Sequence, residues 1–158
     1  MVSRCLLGEC CRYDGEPISA PAVVSLGEVV EFVPVCPEIG IGLPVPRDPI
    51  RLVRTSSGIR FVQARTGRDL TARMRKFCRE FLSGLSVDGF VLKSRSPSCA
   101  VRDAALCDER GRLLEETQPG LFAAEVLDHF PRVPVDDEEH VGELLARAGF
   151  GLPPGTGT

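Results

Sequence analysis

Apolar positions recur along this chain in two distinct ways. From Asp69 to Leu85 they fall at Leu70, Met74, Phe77, Phe81 and Leu85, in steps of four, three, four and four. That is the stripe of an amphipathic helix, with Arg73, Arg75, Lys76, Arg79 and Glu80 as its solvated face. Short unbroken runs at Phe32 to Val35 and Gly89 to Leu92 predict buried strands. Two further strands, Ile50 to Arg54 and Ile59 to Gln63, flank a hairpin-like turn at Ser56-Ser57-Gly58. A weak helix is expected over Ala20 to Glu31, another over Gly120 to His129, and a short strand over Val133 to Val135. The acidic run Asp136 to Glu139 reads as the N-terminal cap of a last helix ending near Ala148, because carboxylates favour the positive end of a helix dipole. A helix followed directly by an apolar strand is the order of a parallel crossover, so an α/β fold with a mostly parallel sheet is predicted. The first strand, ending at Arg4, is very short, and the Gly, Pro and Thr of Gly151 to Thr158 predict a disordered tail.

Three of these strand-like runs end in a cysteine. Arg4 runs into Cys5, Val33-Pro34-Val35 into Cys36-Pro37-Glu38, and Gly89 to Lys93 into Ser96-Pro97-Ser98-Cys99. In a parallel sheet the loops after the strands gather along one edge, where ligands of open α/β sheets bind. Cys5, Cys36 and Cys99 are therefore expected to converge at the C-terminal edge of the strands. Three thiolates without an obvious fourth protein ligand suit a cluster, or a catalytic metal with one open position, better than structural zinc, which takes four. Glu38 sets a carboxylate two residues from Cys36, and three prolines between Leu43 and Pro49 force an extended arm that can hold Arg47 beside the cysteines. Cys10 and Cys11 point different ways, so at most one of them faces the same site.

Composition narrows the picture. With 158 residues, 43% of them hydrophobic and 26% charged, the chain predicts one soluble domain over 1–150. A net charge of −3 gives no electrostatic footprint for nucleic acid or an anionic membrane. No apolar run approaches the roughly 20 residues of a membrane span, and the start lacks the shape of a secretion signal, so a cytoplasmic protein is expected. Seven cysteines, an odd number, then point to metal or redox use rather than a disulfide framework. Cys78 and Cys107 read as small core residues. The two histidines, His129 and His140, lie far from the cysteine loops in sequence.

The segments SRCLLGECCRYDG, PVCPEIGIGLPVPRDPIRLV, TGRDLT, DGFVLKSRSPSCA and GLFAAEVLDHFPRVPVDDE resemble, in order and over nearly the whole chain, the DUF523 family, which includes a thiouracil desulfidase. The form most alike is the one often fused to a DUF1722 domain. The resemblance implies a Rossmann-like α/β domain carrying an oxygen-sensitive [4Fe-4S] cluster, whose ligands here are Cys5, Cys36 and Cys99. It implies non-redox desulfidation of a small thiocarbonyl compound at an iron left free. Cys11 matches a cysteine that some relatives lack. It is a further candidate ligand, or a pocket thiol that pairs with Cys5 when the cluster is lost. Glu38, Ser96 and Ser98 become candidates for activating water or relaying its proton, and Arg12, Tyr13, Asp14, Lys93 and Arg47 for lining the pocket. An aerobic preparation is expected to show loose or oxidised cysteines instead of the cluster. A DUF1722-like protein and a second copy of the chain are candidate partners. Two other readings stay open: a metal- or cluster-stabilised binding module, and a thiol-redox protein exchanging through Cys5 and Cys11. Ala100 stands where the family usually shows glycine, and Ala104 to Cys107 replaces a more polar segment.

Overall fold

In a computed structural model, residues 1–150 are described. They form two four-stranded sheets. The first runs β2-β1-β5-β8, from Pro34–Val35, Val2–Ser3, Phe90–Leu92 and Val135–Asp137, and all of its pairings are parallel. The second runs β4-β3-β6-β7, from Gly58–Gln63, Ile50–Thr55, Ala104–Cys107 and Leu113–Gln118. It joins two antiparallel hairpins through one parallel pairing, β3 with β6. One continuous buried cluster takes Leu52, Phe61 and Leu106 from the second sheet and Val35, Phe90 and Leu92 from the first. The expected tail, 151–158, lies outside the described residues.

The strongest sequence signal became the longest helix, α3, Thr71–Ser83. Its start is set by Asp69, whose carboxylate accepts the Thr71 backbone N–H at 2.9 Å, while the Thr71 hydroxyl receives the Phe61 N–H at 2.8 Å. The helix turns Met74, Cys78 and Leu82 fully inward, and Phe77 and Phe81 stack at 5.3 Å on its flank, so the stripe read from the sequence is the shoulder of the buried face. Cys78 is core, as expected, whereas Cys107 is only half-buried. The weak helix after Ala20 is a single turn, α1 (Pro21–Val24), followed by a 3-10 turn (Ser25–Glu28). Strand β2 is a two-residue edge with Pro34 exposed, not the buried strand its apolar run suggests.

The second sheet is the main departure from the sequence reading. Strand β7, Leu-Leu-Glu-Glu-Thr-Gln, is a mostly exposed edge whose place is fixed by backbone pairing to β6. It carries no apolar alternation to read. The polar turn before it, Asp108 to Arg112, closes through Asp108, whose carboxylate accepts both the Arg110 and the Arg112 N–H at 2.9 Å.

The acidic run is a second correction. Asp136 and Asp137 do not cap a helix; they are strand residues, 4% and 2% exposed. Arg102 and Arg147 bind Asp136, and Arg102 and His140 bind Asp137. Buried charge needs such partners, and these arginines neutralise both carboxylates. The last helix, α5 (Val141–Arg147), begins only after them.

Helix α4 (Leu121–His129) starts hard against the loop that carries Cys99. Leu121 N donates to Pro97 O at 3.0 Å, Ala123 N to Ser98 O at 3.0 Å and Gly120 N to Ala100 O at 2.8 Å. A Cβ on Gly120 would lie 2.5 Å from the Ser98 carbonyl and 2.9 Å from the Cys99 nitrogen. Both are backbone atoms, so the clash cannot be relieved by a rotamer change. Gly120→Ala is expected to cost about 1–3 kcal/mol and to lower the Tm by about 2–10 °C in a thermal melt. The control is Gly84→Ala, where a Cβ meets nothing within 4 Å and the melt should be unmoved.

Candidate active site at the cysteine edge

The parallel sheet brings three loops to one edge. Cys5 sits in a 3-10 turn, Arg4–Leu7, directly after β1; Gly8 ends that turn in the left-handed region at φ 82°. Cys36 lies between β2 and the one-turn helix α2 (Pro37–Gly40), where Pro37 supplies the fixed φ of a first helical residue. Cys99 lies in the loop after β5, and its backbone N–H is held by the Ser96 hydroxyl at 3.0 Å. All three line one cavity of about 570 Å³, and Cys11 joins them. Cys10 is exposed and outside it.

The four thiols are crowded and mostly dry. The Cys36 thiol lies 3.7 Å from the Cys11 carbonyl, and Cys5 and Cys11 line the same cavity. Contact with Cys11 and burial push the Cys36 thiol upward. For Cys11 the bond to Cys36 lowers the pKa, but the bond to Cys5 and burial outweigh it and carry it to about 11. Burial pushes Cys99 up to about 12. Burial so favours the neutral thiols of Cys11, Cys36 and Cys99, and a cation seated among them would favour the thiolates.

Spacing distinguishes which cation. Among the described residues, the trio of His, Cys, Asp or Glu ligand atoms lying within 4.8 Å of one another is Asp136, Asp137 and His140, already neutralised by Arg102 and Arg147; no cysteine trio is that close. Tetrahedral thiolates on one zinc, with bonds of ~2.3 Å, lie only about 3.8 Å apart. Cys5, Cys36 and Cys99 around a shared cavity therefore fit a multi-iron cluster, whose thiolates are spread more widely, better than a single ion.

Glu38 is the carboxylate of the site, 7% exposed. Its Oε2 receives Arg47 Nε at 2.6 Å, and its Oε1 receives the Ser98 hydroxyl at 3.2 Å. Ser96 and Ser98 hydroxyls are 3.1 Å apart. Ser98 has one hydroxyl proton and donates it to Glu38, so Ser96 donates to Ser98. The result is a directed chain, Ser96 to Ser98 to Glu38. Arg47 sits where the proline arm was expected to hold it, donating also to the Cys11 carbonyl at 2.9 Å and the Pro44 carbonyl at 3.2 Å.

Of the remaining candidates, Lys93, Arg12 and Tyr13 line the cavity and Asp14 does not. Lys93 is tied down: its Nζ meets Glu138 at 2.5 Å and the Ser94 hydroxyl at 2.9 Å, while Glu138 also accepts the Ser94 N–H at 2.8 Å. Arg12 lies over the Tyr13 ring at 5.7 Å and pairs with Asp14 at 3.5 Å, forming the rim. Three residues of the site were not singled out from the sequence. Glu138 was hidden in the acidic run. Ser3, which lines the cavity and whose hydroxyl receives Lys93 N at 3.0 Å, precedes Cys5 by two residues, a position the strand-end pattern could have flagged. Gly120 gives no local signal, because its requirement comes from a loop twenty residues away.

Comparison with known proteins identifies the family. A family described as 2-thiouracil desulfurase matches residues 1–138. The solved structure of a [4Fe-4S]-dependent thiouracil desulfidase, TudS, superposes with a TM-score of 0.72 at 27% identity, covering 94% of this chain and 95% of that one. The YbbK protein of Bacillus subtilis strain 168, uncharacterised, is 27% identical over 107 residues, 63% of this chain and 71% of its own length. With its fold, its cysteine edge and a match over residues 1–138, the chain belongs to the 2-thiouracil desulfurase family.

Proposed function

We propose that the chain catalyses non-redox desulfidation of a thiocarbonyl compound such as a thiouracil. Water replaces sulfur, so that the C=S group becomes C=O and the sulfur leaves as hydrogen sulfide. The observation that carries this reading is the union, in one cavity, of three strand-end cysteines with a buried carboxylate and its serine chain. Cys5, Cys36 and Cys99 are the residues that would hold a [4Fe-4S] cluster, and the TudS likeness supports that assignment. Bound there with one iron free of protein ligands, a cluster supplies a thiophilic Lewis acid that polarises the C=S bond.

The chain's own residues do the rest. Glu38 is the base, with Oε2 locked on Arg47 and Oε1 left to Ser98. Ser98 carries the proton of the attacking water toward Oε1, and Ser96 holds the Ser98 oxygen in line. The Arg12–Tyr13 pair gives a planar ring a face to stack on at the rim. Lys93, held by Glu138, brings a positive charge to the cavity wall without a free ammonium. Among the described residues, no helix is long and apolar enough to cross a membrane, and a reducing cytoplasm is the compartment that suits thiolate ligands.

Two measurements test this reading. Protein reconstituted without oxygen should bind about four irons and four acid-labile sulfides per chain, and the Cys5→Ser, Cys36→Ser, Cys99→Ser triple variant should bind essentially none. Equal iron in both proteins removes the three-cysteine site. Glu38→Gln should keep its iron yet lose about 10²–10⁴-fold in kcat for sulfide release from a thiouracil, with Ser98→Ala losing less. A Glu38→Gln enzyme with normal kcat would take Glu38 out of the proton path.

A further inference from the structure

Ser96, Ser98 and Cys99 belong to a turn that holds itself together. The Ser96 hydroxyl accepts the N–H groups of Ser98 at 3.3 Å and Cys99 at 3.0 Å, and the Ser96 carbonyl accepts Ala100 N at 3.1 Å. A turn so bonded moves as one piece, and where it stands against Glu38 is decided outside it. The bond from Ser98 to Glu38, at 3.2 Å, tolerates little displacement. Helix α4 holds the middle of the turn through the Pro97 and Ser98 carbonyls, and residues 136–140 hold both of its ends. On the entering side Glu138 accepts the Ser94 N–H at 2.8 Å, the Ser94 hydroxyl at 2.7 Å and the Lys93 ammonium, and Glu139 accepts the Arg95 guanidinium at 2.8 Å. On the leaving side Arg102 meets Asp136, Asp137 at 3.3 Å and His140 at 3.1 Å. Five consecutive residues thus reach one loop. Within it Arg95 has a left-handed φ of 58°, a conformation that an arginine keeps only where its surroundings fix it.

We propose that residues 136–140 form a clasp that sets the Ser96–Cys99 turn against Glu38, with Glu138 as its positioning residue. Asp136 also binds Arg147 of α5, so its loss would unsettle the sheet, and the Glu139–Arg95 pair is exposed and weak. Glu138 is different. Its side chain is 16% exposed and its oxygens go to Lys93 and Ser94, so it acts on the loop alone. Its Oε2 is given to the Ser94 N–H, which fixes the main chain itself two residues before Ser96. Without that acceptor the turn loses its entering anchor, and the Ser98 hydroxyl leaves hydrogen-bond reach of Glu38 Oε1. The rim formed by Arg12 and Tyr13 lies on a different loop and is untouched. The consequence for turnover rests on the reading of Ser98 and Glu38 as the proton path; the clasp itself does not.

The test uses the full-length protein as wild type, Glu138→Ala, Glu138→Gln and Glu139→Gln. Amide hydrogen exchange is followed by mass spectrometry on the cluster-free form, and sulfide release from a thiouracil is measured after anaerobic reconstitution and expressed per cluster bound. Exchange over residues 94–103 should quicken about tenfold in Glu138→Ala and stay within about twofold of wild type in Glu139→Gln, with helix α3 unchanged in both. Glu138→Gln should fall between them, because its amide oxygen still accepts the Ser94 N–H; should Glu138→Ala fail to fold, this variant carries the same comparison. The kcat per cluster should drop in the same order, by about 10–100-fold in Glu138→Ala, with KM within about threefold of wild type. Unaltered exchange over 94–103 in both Glu138 variants, or a rise shared equally by α3, would overturn the clasp. Faster exchange with normal kcat per cluster, or a loss carried by KM alone, would overturn the positioning role. A wild type that releases no sulfide would sink the functional reading instead, while the exchange pattern would still decide the clasp.

Discussion

The buried ion pair between Glu38 and Arg47 is the interaction on which the cysteine edge depends. Its side chains are 10% and 3% exposed, and an isolated charge at either position would carry a large desolvation cost. The pair is tolerated because both partners are further satisfied. Arg47 directs its other donors to the carbonyls of Cys11 and Pro44, and Glu38 offers its second oxygen to Ser98. Through those bonds one guanidinium and one carboxylate connect the loops after β1, β2 and β5. Losing one member of such a pair typically costs about 3–5 kcal/mol. Here the pair also ties the three cysteine loops to one another, so it sets geometry as well as stability.

Much of this edge was legible because the signals that place it are local. Short apolar runs ending at Cys5, Cys36 and Cys99 needed only the rule that parallel strands share an edge, and the proline arm was enough to bring Arg47 to them. What stayed hidden is non-local. Strand β7 is held by ladder bonds to β6 and leaves an apolar pattern only where it does not bury it, with Leu113 at 56% exposure. Asp136 and Asp137 look like solvated helix-cap residues until Arg102 and Arg147, distant in sequence, are seen to meet them. A carboxylate pair in a buried strand and one at a helix start have the same sequence signature; only the partners differ.

The second sheet, of which only the β3–β4 hairpin was read from the sequence, is part of the site as well as of the scaffold. Pro49 and Ile50, entering β3, line the cavity opposite the cysteine loops. Asp103, entering β6, accepts the backbone N–H of Arg95, which adopts a left-handed φ of 58° in the loop that carries Cys99. One sheet therefore supplies the thiols and the other closes the wall and fixes the loop conformation. The parallel sheet alone brings the cysteines together but leaves their cavity open on one side.

Charge follows the same division. The parallel sheet ends in Glu138, which neutralises Lys93 and anchors Ser94, so the wall beside Cys99 is polar yet carries no free ammonium. Glu38 is likewise matched by Arg47. With both carboxylates compensated, the net charge within the cavity rests on whether its thiols are ionised. Protonated, they leave it close to neutral and burial favours that state, as the raised values of Cys11 and Cys99 show. Three thiolates would add three negative charges at once to a poorly solvated space, a cost that a bound cation offsets. The same burial that favours the protonated thiols of Cys11, Cys36 and Cys99 thus ties their ionisation to the arrival of a cation.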